Sequence, residues 1–297
     1  MSLTALELFS AFPCTFDDYV IPDVVGITPS PAVQKIVATP AGSLNPTLVA
    51  EVFREPTATL TALDIGRILQ WLSLNAGYNI NTLARLQYQQ RLNGGAFMGN
   101  GNHVSITSPA GFLMPESIRA QQDDQQPAQL QMKFWGLKNG SNPPMAVNTG
   151  QNLTSSPDIG AIFKLGPVVI DGSVLAWVQS SQVHFGIEYK PVRGSGATAA
   201  EVGFIRSRKP TAELGGDNLS IVGNIGMGLG VVNSALTIYF LNANGAPSDA
   251  VHTSITFGVG STYEVSEVPA QGENDAQPRL MVTGIGPLSY NTTAVHP

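Results

Sequence analysis

The sequence is short of charge. Only 12% of its 297 residues are Asp, Glu, Lys or Arg, against about 25% in an ordinary soluble domain. There are 15 Lys and Arg against 21 Asp and Glu, for a net charge of −6, and no stretch concentrates the bases. An electrostatic nucleic-acid footprint needs such clusters, so sequence-specific DNA or RNA recognition is not expected. Cysteine is nearly missing too. Cys14 stands alone, which excludes an internal disulfide framework. No apolar run reaches the roughly 18 residues of a membrane span. The first basic residue is Lys35, so the charged start of a signal peptide is lacking. The expectation is a chain made in the cytoplasm with no membrane partner.

Residues for chemistry are equally scarce. The four histidines are His103, His184, His252 and His296, and none has a Cys or second His at metal-ligand spacing. His103 and His252 each open a His-x-Ser-Ile-Thr block, which suits a structural hydrogen bond in a strand better than catalysis. No G-x-S-x-G elbow occurs. Gly226-Met227-Gly228-Leu229-Gly230 lacks the Lys-Ser/Thr pair and the βαβ setting of a phosphate loop, and reads as a helix stop and turn. Asp123-Asp124 sit in a polar turn with too few carboxylates for calcium. Asn152 and Asn291 match the N-x-S/T acceptor pattern, which is unused in a chain that is not secreted. No catalytic, cofactor-binding or metal-ligating residue is assigned, no cofactor is implied, and the chain reads as a non-enzyme.

What fills the gap is hydrophobic residues at 43%, 31 Gly and 21 Pro, with abundant Ser, Thr, Asn and Gln. Interface cores are depleted in Lys and Glu, so this composition suits a protein largely covered by neighbours. A secreted β-protein with an uncharged polar coat has the same composition.

Self-comparison finds one unit used twice. Pro56-Thr57-Ala58 falls on Pro210-Thr211-Ala212 at an offset of 154, and Asp64 falls on Asp217 at 153. His103 falls on His252 and Gly111 on Gly260, both at 149. Tyr88 pairs with Tyr239 and Asn93-Gly94 with Asn244-Gly245, both at 151. Val20-Ile21 pairs with Val169-Ile170. This divides the chain into an N-terminal arm 1–15, a repeat 16–136, a Pro/Gly/Asn-rich linker 137–161, a second repeat 162–285 and a tail 286–297.

In the first repeat, β-rich runs lie near 19–27, 33–39, 47–54 and 56–62, then near 82–91, 102–108, 112–121 and 128–136. Between them, Asp64 caps an apolar stripe of Ile65, Ile68, Leu69 and Leu72, closed by Gly77. A helix is predicted over 64–75, with a shorter or looser one over 217–226 behind Asp217. These helices should bury Ile68, Leu69 and Leu72 against their own sheet. In the arm, Thr4 and Glu7 could form a capping box, and Leu3, Leu6, Phe9 and Phe12 precede Pro13. That pattern reads as a helix, docked either on its own domain or on a neighbour. The fold class is mainly β: two tandem, internally duplicated β-sandwich or barrel domains, each with one short α-helix.

The order of strands, Asp-capped helix, Gly-closed turn and strands resembles the tube fold of phage tail tube and Hcp-like proteins. PTATLTALDIGRILQWLSLNAG and PTAELGGDNLSIVGNIGMG sit where that segment belongs, and VVIDGSVLAWVQSSQVHFGIEY resembles the opening strands. The resemblance implies a structural virion protein that self-associates into rings or a tube for DNA passage, alongside other virion proteins. Six tube domains close a ring, so a chain carrying two closes it as a homotrimer that stacks, with strands joined into one inner barrel that leaves no edges. The arm 1–15, the loop 92–102 and the linker are the expected contacts. Two other readings stand beside it: a double jelly-roll capsid protein forming pseudo-hexameric trimers, and a secreted carbohydrate-binding β-sandwich.

Overall fold

Alternation of side chains builds the sheets. In the segment TATLTA, Ala58, Leu60 and Ala62 point inward and are fully buried, while Thr57, Thr59 and Thr61 stay partly exposed. Inward residues thus recur at every second position, as a pleated strand with one face in the core requires. The computed structural model describes residues 8–38, 41, 48–92, 95–122, 126–154, 160–175, 178–216, 228–246, 248–268, 277–295 and 297.

The first half contains β1 (Leu8–Phe16), β2 (Tyr19–Ile21), β3 (Val24–Ser30), β4 (Val33–Ala38), β5 (Leu48–Arg54) and β6 (Thr57–Ala62), then the helix α1 (Ile65–Trp71). It continues with β7 (Tyr78–Ile80), β8 (Ala84–Arg91), β9 (His103–Ser108), β10 (Ala110–Gln121), β11 (Gln129–Leu137) and β12 (Ala146–Gln151). The second half runs β13 (Phe163–Ile170), β14 (Ser173–Leu175), β15 (Val178–His184), β16 (Ile187–Val192), β17 (Val202–Arg208) and β18 (Thr211–Gly216). After it come β19 (Gly230–Val231), β20 (Leu236–Asn242), β21 (His252–Phe257), β22 (Thr262–Glu267), β23 (Arg279–Thr283) and β24 (Ser289–Ala294). The fold is mainly β and sandwich-like. A ten-stranded sheet, β19-β22-β23-β18-β15-β10-β11-β6-β3 with β7 on β10, packs against two five-stranded sheets, β12-β9-β8-β1-β2 and β14-β13-β20-β21-β24. Phe16 of β1 meets Phe134 of β11 edge-on at 5.4 Å in the core between layers.

The pairing scheme of the first half recurs in the second. β1–β2, β1–β8, β8–β9 and β9–β12 have counterparts in β13–β14, β13–β20, β20–β21 and β21–β24. So do β3–β6, β6–β11, β10–β11, β7–β10 and β4–β5. Irregularities recur as well: the ladder skips a residue between Val24 and Gly26, and again between Val178 and Ser180.

The structure corrects several expectations. Residues 8–15 of the arm are not helical; they form most of β1, between β2 and β8. Phe12, Cys14 and Phe16 are buried at every second position, the period of a strand and not of a helix. The capping-box residues Thr4 and Glu7 lie outside the described residues. The linker carries β12, paired to β9. α1 ends at Trp71, and Leu72, its C-cap, already has extended backbone. Gly77 closes the turn that follows, at φ 64°, where a Cβ would lie 2.6 Å from the Leu113 carbonyl oxygen. The second helix, 217–226, lies outside the described residues. Val20-Ile21 lies on β2 whereas Val169-Ile170 ends β13, so those pairs do not share a place.

Both turns that open the halves are clamped by an aspartate with a left-handed backbone, Asp17 at φ 51° and Asp171 at φ 50°. Asp17 accepts hydrogen bonds from the N–H groups of Asn81, Thr82 and Leu83 and from the Thr82 hydroxyl. Asp171 accepts from the N–H groups of Asn233 and Ser234. Partial burial pushes the Asp17 pKa up, but the Thr82, Leu83 and Asn81 hydrogen bonds together outweigh it and hold it below the ordinary 3.8.

Two measurements check these assignments. Leu72 is fully buried, so Leu72→Ala should cost about 2–5 kcal/mol in denaturant unfolding; a midpoint unchanged from wild type would mean that the site is not core. A carboxylate with a depressed folded pKa stabilises the fold above its unfolded pKa and loses that contribution as pH falls through the folded value. Wild type should therefore lose stability on acidification below about pH 4 more steeply than Asp17→Asn. Parallel curves would unlink the clamp from folding.

Candidate assembly interface

The residues that sequence singled out for chemistry are held structurally. His103 and His252 are buried, and the Nδ1 of each accepts a backbone N–H from the neighbouring strand, of Gln90 and Asn242 respectively. These bonds pair residue 90 with 242, an offset of 152, so the counterpart of Tyr88 is Phe240 and not Tyr239. A slip of one residue puts a side chain on the opposite face. His184 is exposed on β15. Cys14 is buried, and burial pushes its thiol up to about 12, which keeps it neutral and a poor nucleophile. Among the described residues no cluster of three or more His, Cys, Asp or Glu could hold a metal. Asp123, Asp124, Asn93, Gly94, Gly226, Met227 and His296 lie outside the described residues.

What the geometry does build is a junction between the halves. β10 pairs edge-on with β15, with Ser117 opposite His184, Ile118 opposite Val183 and Ala120 opposite Ser181. The Phe185 N–H donates to the Glu116 carbonyl at 3.1 Å, and the Gln122 N–H to the Gln179 carbonyl at 2.7 Å. Above this ladder Tyr189 of β16 stacks on Phe112 of β10 at 4.3 Å and meets Trp135 of β11 at 5.8 Å. Such pairs add about 0.5–1.5 kcal/mol beyond area burial.

The helix is the second part of the junction. Ile65, Ile68, Leu69 and Leu72 are buried as expected; the helix meets its own half through Trp71, stacked on Tyr19 of β2 at 4.2 Å, and it also packs on β21 and β24 of the other half. Gly66 makes this possible, because a Cβ there would lie 3.0 Å from the Phe163 ring and 3.1 Å from the Thr253 hydroxyl. Asn75 then exchanges two hydrogen bonds with the backbone of Leu288, at 2.7 and 3.0 Å. Asp64 serves both sides. One carboxylate oxygen caps the helix at Arg67 N–H, and the other accepts the N–H of Ala161 at the start of the second half.

A third contact joins the projecting hairpins. The Arg54 N–H at the end of β5 donates to the Thr198 carbonyl, and the Arg193 guanidinium lies 3.8 Å over the Phe53 ring. Beyond that base, the β4–β5 hairpin exposes Val33, Ile36, Val37, Val49 and Val52, and β17 exposes Val202 and Phe204.

Among the described residues, β3 ends the ten-stranded sheet on one side, paired on one side only, and near the other end β22 carries the two-residue β19 on its outer side. These are the counterparts of the two strands that meet at the junction: β3 of β15, and β22 of β10. Neither was among the expected contacts. The expected loop 92–102 lies by β8 and β12, and the linker carries β12 on β9 and reaches Asp23, next to the start of β3, through the Gly160 N–H.

Removing the Asp64 carboxylate, by Asp64→Ala, should cost about 1–2 kcal/mol through the lost cap and protect the amide of Ala161 less from hydrogen exchange. Unchanged exchange at Ala161 would show that the carboxylate does not tie the halves together. The chain matches no known protein family, and no curated protein matches it.

Proposed function

We propose that the chain is a non-enzymatic structural subunit whose two halves are copies of one unit, and that it assembles with itself head to tail. One observation carries the reading: β10 joins β15 edge to edge within the chain, and among the described residues the counterparts β22, beyond its short pairing with β19, and β3 carry no partner on their outer sides toward opposite ends of the same sheet. Repeating the same relation between chains places β22 of one copy against β3 of the next. A contact between unlike patches generates a ring when its rotation closes, and three chains supply the six units of a tail-tube-like ring. Closure also removes the two exposed edges, a standing aggregation hazard in a free β-sheet.

In that arrangement the face of Thr57, Thr59, Thr61, Gln129, Gln131 and Lys133 runs around one wall of the ring, and the apolar hairpins are left for stacking or for other virion proteins. DNA passage through such rings, and a place in a virion, follow from the resemblance to tube proteins and belong to this proposal.

Val268 directly follows β22 and is exposed, and there its N–H would donate to the next chain. Light scattering and negative-stain microscopy of the full chain should show trimeric or stacked rings. Val268→Pro should leave the circular dichroism unchanged and abolish the rings. A wild-type chain that stays a 31.3 kDa monomer at all concentrations overturns the reading, and closed shells would favour the capsid alternative.

A further inference from the structure

The junction within the chain and the one between chains are not built alike. The shared register fixes the correspondence. Both β3 and β15 skip a residue at the same place and end opposite equivalent threonines, Ser30 on Thr57 and His184 on Thr211. Pro29 thus stands where β15 has Val183, and Pro31 stands where Phe185 follows it. In the strand β15 the N–H of Phe185 points to β10 and donates to Glu116, and by the two-residue period that of Val183 points the same way. Proline has no N–H. The free edge of β3 therefore offers carbonyls at both positions and no donor at either.

The aromatic contact is missing as well. β10 and β22 skip a residue opposite β11 and β23 at matching places, after Pro115 and after Val265. That register sets Phe112 on Thr262 and Trp135 on Thr283. The hairpins skip likewise, between Gln34 and Lys35 and between Glu188 and Tyr189, which sets Tyr189 on Lys35. Where the inner junction stacks Tyr189 on Phe112 and Trp135, the outer one brings a lysine to two threonines.

Resting on the ring reading, we propose that β3 docks β22 of a second copy through a one-way ladder, in which Val268 donates to Pro29, Pro29 returns no bond, and Pro31 cannot give the Ser266 carbonyl the N–H that Phe185 gives Glu116. This contact is reversible, whereas the inner junction is permanent. The two prolines also blunt pairing of β3 with itself, since neither strand of such a pair could donate there, and so favour the head-to-tail partner.

The test measures the concentration at which full-length chains associate, by sedimentation velocity. Pro29→Val with Pro31→Phe restores the donors of the inner junction and should lower that concentration at least tenfold. Should the double variant fail to fold, Lys35→Tyr with Thr262→Phe, which leaves the backbone alone, should shift it the same way. Rings that form at the wild-type concentration in every folded variant overturn the one-way junction while leaving the ring reading intact. Chains that stay monomeric in wild type and variants alike overturn both.

Discussion

The pairing of β10 with β15 is the constraint on which the rest depends. A strand edge is a row of unsatisfied N–H and C=O groups, and burying it without partners costs about 1–3 kcal/mol per group. Once the two edges meet in register, the sheet layers of both halves are fixed relative to each other. The helix can then cross onto β21 and β24, Asn75 can reach Leu288, and one aspartate can serve both halves. These contacts use atoms at the ends of elements, so they hold only while the sheet holds them in place.

Much of this fold is legible in the sequence alone, and the reasons are local. The TATLTA alternation, the Asp64 cap and the Pro-Thr-Ala blocks announce themselves within a few residues, and they fall where the strands and helix lie. β1 is not legible in this way. Pro13 and the spacing of Leu6, Phe9 and Phe12 imitate a helix, and only pairing with β8, some 75 residues away in sequence, overrides it. The Tyr88–Tyr239 match misleads for a related reason. Identity of residue outweighs register when two sequences are laid side by side, yet the paired strands count in twos and assign Tyr88 to Phe240.

The junction is hidden for a different reason. Which strands end a sheet is a property of the whole topology, whereas loops and termini stand out residue by residue. One signal is present: Pro29-x-Pro31 in a β-rich run marks a strand whose outer N–H groups are not needed.

In the proposed assembly, two units in one polypeptide have an arithmetic effect. Any closed head-to-tail assembly of such chains contains an even number of units, so closures of five or seven are forbidden by covalent connection rather than disfavoured by energy. Nor can a stray single unit cap a growing arc. A single-unit subunit must select its ring size through interface angles alone; in the proposed ring the backbone between β12 and β13 would eliminate the nearest wrong answers on either side of six.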